Sequence, residues 1–285
     1  MPNLRDIRRR ITSVKKTQQI TRAMRMVAGA KLRRAQEASA SARPYADRMR
    51  DTVTAVARAE RNAEHPLLLQ RSPIARVELL VVTSNRGLCG AFNSNIIKCA
   101  LVQIAEREAA QTEVFITASG RKASDYFRRR AGRLVHSHVA EGWVVYGHAV
   151  EIASRLCQRY VDGEVDEVLL VYSEFVSTMT QRPKSVRLLP QDPGADESDG
   201  ALPYEIEPSP ARLLEALLPK AVEVEIFRAL LENQAGEYAA RMTAMESATR
   251  NTQELVERLT LQFNRARQAA ITKELVEIVT GAEAL

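Results

Sequence analysis

The chain has 285 residues, 27% of them charged and only 5% aromatic, a composition that favours helix and exposed surface over one large compact interior. Its net charge of +6 is unevenly placed: residues 1–58 hold fifteen Lys or Arg against four Asp or Glu, a surplus of eleven, which leaves the other 227 residues at minus five. No run approaches the ~20 apolar residues that span a bilayer, and Cys89, Cys99 and Cys157 show neither a CxxC pair nor metal-ligand spacing, so reduced thiols are expected rather than a disulfide framework.

The first ~58 residues read as one long helix. Leu4, Ile7, Ile11, Val14, Ile20, Met24 and Val27 are taken as its apolar face, and Pro44 is its only proline after Pro2. Asp6 and the immediate start of the pattern argue against a signal or transit peptide. A basic helix fits nucleic acid, an anionic membrane surface or an acidic protein socket. Tyr45 is the only aromatic residue in the segment, which weakens the nucleic-acid reading, and the Ile, Val and Met face lacks the Trp, Phe and Leu of an interfacial helix. An acidic protein partner fits best.

Residues 59–75 read as a linker. From about Arg76 the period becomes strand-like: a buried-type strand at Val77–Thr83, a helix from Asn95 to Ala110, a strand at Glu113–Thr117 and a helix from Arg121 to Arg130. A short strand near Leu134, a helix from His148 to Tyr160, a strand at Val168–Tyr172 and an edge strand at Ser185–Leu189 complete the segment. Strands alternating with helices predict an open α/β sheet within a globular domain over 76–208. Gln191–Gly200 reads as a surface loop, and Pro208, Pro210 and Pro219 punctuate the entry to the next helix, with Ser209 and Pro210 suited to its N-cap and first position.

The last segment, 209–285, reads as a second long helix. Between Ala221 and Thr280 it has no proline and one glycine, Gly236, while Phe227, Leu231, Tyr238, Met242, Met245, Ala248, Leu255, Leu259, Phe263, Ala266, Ala270, Leu275 and Ile278 recur at helical steps. Some 60 such residues make a rod on the order of 90 Å. Helices this long need a partner for their stripes. The two termini are therefore expected to pair as an antiparallel coiled coil, giving a fold class of α/β plus a long terminal helix pair.

Candidate chemistry in the middle is thin. The loop Ser84–Asn93 follows the first strand, where a doubly wound sheet binds phosphate, but its Gly87 and Gly90 match neither GxxxxGK[ST] nor GxGxxG. Cys89 would need a histidine beside it to act as a nucleophile, and nothing in the sequence places His65, His136, His138 or His148 there. His136 and His138 read as the exposed face of a strand. Gly120, Arg121 and Lys122 could hold an anion or could simply open a surface helix.

Four segments, however, occur together and in order: ITSVKKTQQITRAMRMVA (11–28), SNRGLCG (84–90), RMTAMESATRN (241–251) and RARQAAITKELVEIVTG (265–281). Together they closely resemble the gamma subunit of F-type ATP synthases, from the first residues to the last. The family's loop usually reads SDRGLCGG, so Asn85 and Ala91 are departures, and the cysteine-pair insertion of chloroplast members is missing, which points to a bacterial form without thiol switching.

The resemblance implies a central rotor shaft, proton- or sodium-driven, on the cytoplasmic face of the bacterial inner membrane. Its paired helices would thread a hexamer of three alpha and three beta subunits, and its α/β domain would stand on the ring of c subunits beside epsilon. Such a subunit has no catalytic site, binds no cofactor or metal itself and inserts in no membrane; ATP, ADP and Mg belong to partner subunits. The resemblance places Arg267 and Gln268 against loops of beta, and Arg9, Lys15, Arg22, Met24, Arg25 and Arg33 against the hexamer. It gives Ala266, Ala269, Ala270 and residues 281–285 to a smooth bearing surface. A basic coiled-coil nucleic-acid-binding protein and a nucleotide-using α/β enzyme with helical arms are the rival readings.

Overall fold

The computed structural model describes residues 4–59, 65–130, 133–192, 207 and 209–283. The anticipated surface over residues 281–285 and most of the loop 191–200 lie outside what can be described there, as does Pro208. Helix α1 (Leu4–Ala59) opens the chain and α5 (Pro210–Glu283) closes it. Between them run β1 (Arg76–Val82), α2 (Phe92–Ala109), β2 (Glu113–Ser119), α3 (Arg121–Arg128), β3 (Leu134–His138), α4 (Tyr146–Val161), β4 (Glu167–Phe175) and β5 (Gln181–Leu189).

The five strands form one sheet in the order β3-β2-β1-β4-β5. The first four are parallel and β5 is antiparallel to β4, as an edge strand reached by a short return. Strand β1 reads as a continuous apolar run because both its faces are covered. Val77, Leu79 and Val81 pack with α2 and α3, while Leu80 and Val82 join the core on the other face, with α4, α1 and α5.

The chain divides into two compact units, Met1–Gly29 with Arg241–Leu285, and Ala30–Ala240. The second unit takes in more of the terminal helices than the span 76–208 because Val53 and Val56 of α1, and Leu214, Leu218, Val222, Ile226, Ala229 and Leu230 of α5, share one core with the sheet. From 229 to 236 every residue of α5 is buried, including Glu232, Asn233 and Gln234.

The seam of α1 is not the stripe read from apolar residues alone. Positions 7, 11, 14, 18, 21, 25, 28, 32 and 35 are all buried or half-buried, a strict alternation of four- and three-residue steps. Ile20 and Val27 fall off it and are 60% and 56% exposed, and Thr21 and Ala28 take their places. On α5 the same steps run through 245, 249, 252, 256, 259, 263, 266 and 270, so Thr249 and Val256 lie inward and Leu255 does not. A 3.5-residue repeat is the mark of a left-handed coiled coil. Pro219, expected to punctuate the entry to α5, lies within the helix. The N-cap is as expected, with the Arg212 N–H donating to Ser209 Oγ at 3.4 Å.

Candidate partner-contact surfaces

In the first unit the helices are antiparallel, and the rungs between them are polar. Gln18 Nε2 donates to Gln253 Oε1 at 2.6 Å, the Thr21 and Thr249 hydroxyls are 2.9 Å apart, Arg25 lies 3.8 Å from Glu246, and a Cβ on Gly29 would sit 3.5 Å from Met242 Sδ. Small and polar rungs let the helices approach closely but bury little apolar area. Few residues here are fully buried: among them Ile7, Ala28, Met245 and Val256.

Continuing the register of those rungs at equal rise, Leu4 stands about level with residue 267 of α5. Past that level no described residue of α1 lies opposite, and residues 271–280 of α5 are all exposed. Ile271, Leu275, Val276, Ile278 and Val279 are 47–67% exposed and at 3.6 residues per turn spread over roughly 160° of the helix. That is a broad apolar surface on an unpaired helix.

The residues assigned to partner contact fall into three groups. Arg9, Lys15 and Arg22 are exposed on α1, as are Arg267 and Gln268 on α5. Met24 and Arg25 are half-buried in the helix pair, and Arg25 already faces a carboxylate within the chain. Arg33 belongs to the second unit, exposed and 3.5 Å from Glu37 one turn on. Sequence reasoning missed Gln18, Thr21, Thr249 and Gln253; the four-three spacing through Ile7, Ile11 and Val14 leads to Gln18 and Thr21, and that through Met245, Thr252 and Val256 to Thr249, whereas exposed Gln253 lies off the seam.

In the second unit, the place where an open α/β sheet binds a ligand is taken from within. The strand order reverses between β1 and β4, so a crevice is expected beyond their carboxyl ends. There α5 passes so close that a Cβ on Gly236 would be 3.0 Å from the Phe92 ring and 3.5 Å from Gln181, and Ala240 packs on the same core as Phe92 and Cys89.

The start of α3 is likewise closed to an anion. The Arg121 N–H donates to Asn85 Oδ1, that of Lys122 to the Ser84 carbonyl and that of Ala123 to Thr83 Oγ1, at 2.8–3.1 Å. The loop after β1 is thus a cap for α3. Asn85 also donates through Nδ2 to the Ala140 carbonyl at 2.5 Å, a bond that an aspartate at this position could not make. Gly120, at φ +99°, lets the turn pass with its Cα over the Thr83 carbonyl; a Cβ there would lie 2.3 Å from that oxygen.

Cys89 is buried, its Sγ 3.1 Å from Asn93 Nδ2, while the histidines lie elsewhere: His65 before β1, His136 and His138 on β3, His148 on α4. His136 and His138 do not face solvent as expected; they turn toward α4, and the His138 side chain is 10% exposed. Burial pushes the Cys157 thiol up to about 12 and raises that of Cys99. Among the described residues no cluster of His, Cys, Asp or Glu is arranged to hold a metal, and no helix is long and apolar enough to cross a membrane.

Helices α1 and α5 are locked to the sheet by charge. Arg228 Nη1 donates to Glu232 at 2.7 Å, Nη2 to the Tyr172 hydroxyl of β4 at 3.2 Å, and Nε to Glu225 at 3.1 Å; Arg43 and Arg50 of α1 reach Glu232 and Glu225 at 3.8 Å. Burial works against the charge of Arg228, yet Glu225, Tyr172 and Glu232 outweigh it and raise its pKa. Nearby, Arg34 covers Trp143 at 4.3 Å, and Trp143 leans on Tyr238 at 5.9 Å.

These features define the class: an antiparallel coiled coil made of the chain termini, with an α/β domain inserted between its helices. The sequence profile of the ATP synthase family matches residues 3–285. The chain is 50% identical over 287 residues to the ATP synthase gamma chain of Pelotomaculum thermopropionicum, all of both chains being covered. It is 45% identical to that of Chlorobaculum tepidum, covering 100% of this chain and 99% of the relative.

Among solved structures it is similar to a chain of the Euglena gracilis mitochondrial ATP synthase OSCP/F1/c-ring assembly, with TM-score 0.67, 20% identity and 99% and 94% of the two chains covered. It is also similar to one from the central stalk and c-ring of the Tetrahymena thermophila enzyme, with TM-score 0.59, 23% identity and 80% and 99% covered. At such identities the likeness is one of fold. The chain belongs to the ATP synthase gamma chain family.

Proposed function

We propose that this chain is the central rotor shaft of a bacterial F-type ATP synthase, turning within a hexamer of three alpha and three beta subunits. The observation that carries the reading beyond family membership is the unpaired stretch 271–280, exposed and apolar over nearly half its circumference. A helix of that kind calls for a sleeve of other subunits, and broad apolar contact without fixed charge pairs suits a surface that must slide. Exposed Arg267 and Gln268 stand just below it as the polar contacts to beta, with Arg9, Lys15 and Arg22 on α1 facing acidic segments of the same hexamer.

The α/β unit engages the ring of c subunits and epsilon, on the cytoplasmic face of the membrane. Nucleotide and Mg are held by the partners, in keeping with a crevice filled by α5 and an α3 start whose amides are all bonded. One charge moving through 100 mV yields about 2.3 kcal/mol, so several ions must act per ATP and the work must be held in a stiff element. The alternative of a nucleic-acid-binding protein finds no support among the relatives.

The test is native mass spectrometry of the complex purified from its own membranes through a tag on this chain. One copy with three alpha and three beta subunits, active in ATP hydrolysis, is the expected result. Recovery of the chain alone, or with nucleic acid and no ATPase, overturns the proposal.

A further inference from the structure

Beneath α4, ionisable side chains run from the central strand β1 to the free β3 edge of the sheet. Fully buried Glu78 of β1 accepts from Thr117 Oγ1 at 2.6 Å and Arg159 Nε at 2.8 Å, and Arg159 also holds Glu164 at 2.6 Å. Toward the edge, His138 Nδ1 lies 3.3 Å from Glu151 of α4, and its ring centroid is 5.5 Å from that of His148. His138 Nε2 is buried without a hydrogen-bond partner among the described residues, and so is Arg155 Nε. His136, two residues back on the same face, senses Arg155, Glu151, His138 and Glu78.

His148 also caps its own helix. Its Nδ1 accepts the Val145 N–H, at 3.4 Å, at the start of α4. A protonated imidazole has no acceptor nitrogen, and a positive charge at a helix N-terminus opposes the helix dipole. Strand β3 is lightly held. All five of its residues are only half-buried, and its register with β2 slips between Ile116 and Thr117.

We propose that the β3–α4 seam is an acid-operated latch, closed while His136 and His148, which flank His138, are neutral and opened by their protonation. With neutral histidines Arg159 is already engaged by Glu78 and Glu164, which leaves Glu151 facing Arg155; protons on His136 and His148 would add two positive charges. The other neighbours do not absorb them. Glu141 of the following loop pairs with Arg121, β2 offers Thr117 and Ser119, and α3 meets the opposite face of β3 through Ser124, which also holds Arg128.

Burial, and then Arg155, lowers the affinity of His136 for a proton; burial, and then His138, does the same for His148. The closed seam therefore binds fewer protons than the open one, so its stability is fully present above the ordinary histidine pKa of about 6.5 and is lost as pH falls below it. At pH 5.5 a histidine that closure held fully neutral would favour opening by about tenfold, so His136 with His148 favour it by at most roughly a hundredfold.

Hydrogen exchange of the assembled complex at pH 7.5 and 5.5, corrected for intrinsic rates, reads this directly. Peptides over 133–140 and 146–152 should lose protection, by up to roughly a hundredfold, while β1 and β4 hold theirs. The triple variant H136Q/H138Q/H148Q should lose the response, and His65→Gln should keep it. Glu151→Gln keeps the histidines and removes the carboxylate that eases the protonation of both His136 and His148, Glu78 acting on His136 alone, so it should enlarge the response at pH 5.5 and leave pH 7.5 unchanged. Equal protection at both pH values, a response that survives the triple variant, or a loss in Glu151→Gln that is the same at both pH values overturns the proposal.

Discussion

Replacing Arg228 by Met removes the buried cation that joins α5 to β4 and stands between two carboxylates. Glu232 is left with its side chain 2% exposed; its Oε2 has no hydrogen-bond partner among the described residues, and its remaining cation, Arg43, is 3.8 Å away and 61% exposed. Breaking one side of such a pair costs about 3–5 kcal/mol, against a total stability of roughly 5–15 kcal/mol. Glu225 is less affected, being partly exposed and near Arg50. The double variant R228M/E232L removes both buried charges and should recover all but about 1 kcal/mol of the loss. Urea unfolding of the full chain followed by Trp143, its only tryptophan, measures this. With a slope near 3 kcal/mol per M, the single variant should shift the midpoint down by about 1–2 M. A loss below about 1 kcal/mol, or a double variant no better than the single, would refute the assignment of Arg228 as the charge that keeps Glu232 buried.

Three further expectations are independent of that one. Gly120→Ala forces a Cβ onto the Thr83 carbonyl at a positive φ and should cost about 2–5 kcal/mol, seen as a lowered thermal midpoint; a change under ~1 kcal/mol contradicts the geometry. The double variant R267A/Q268A, at exposed positions of α5, should lower ATP synthesis more than it lowers assembly, as measured in membrane vesicles against subunit content; unchanged synthesis counts against those contacts. The Cys157 thiol, with its pKa pushed up to about 12, should react with a disulfide reagent at pH 8 about a thousandfold more slowly than an exposed thiol, and about tenfold faster for each unit of rising pH, since only the thiolate attacks. Reaction at the rate of an exposed thiol would show that the site is open.

Much of the architecture was legible because it rests on period. The strand-like runs at Val77 and Val168 and the helical steps at both termini are direct images of which faces are covered. What apolar identity alone obscured was the seam. Ile20 and Val27 drew the face of α1 aside, whereas Thr21 and Ala28, less hydrophobic, hold the inward positions because their small size suits a close pair. Spacing was the better guide there, and hydrophobicity the poorer.

Glu232, Asn233 and Gln234 were invisible for a different reason. Polar residues on a helix are expected outside, and only the enclosure of α5 between two cores, with Arg228 supplied one turn earlier, lets them stay in. The work of the loop at Ser84, capping α3 through Thr83, Ser84 and Asn85, depends on a contact across 36 to 40 residues that no local pattern reveals. The partner contacts proposed for Lys15, Arg22 and Gln268 have the same limit, since a single exposed side chain carries no image of what touches it.

The central claim is that this chain turns while its partners stand still. The direct measurement is single-molecule observation of the complex with the hexamer fixed to a surface and a probe attached through Met179→Cys, a position 78% exposed on the α/β unit. On addition of ATP the account predicts unidirectional rotation of the probe, arrested when nucleotide is withdrawn. A complex that hydrolyses ATP with a stationary probe would contradict it.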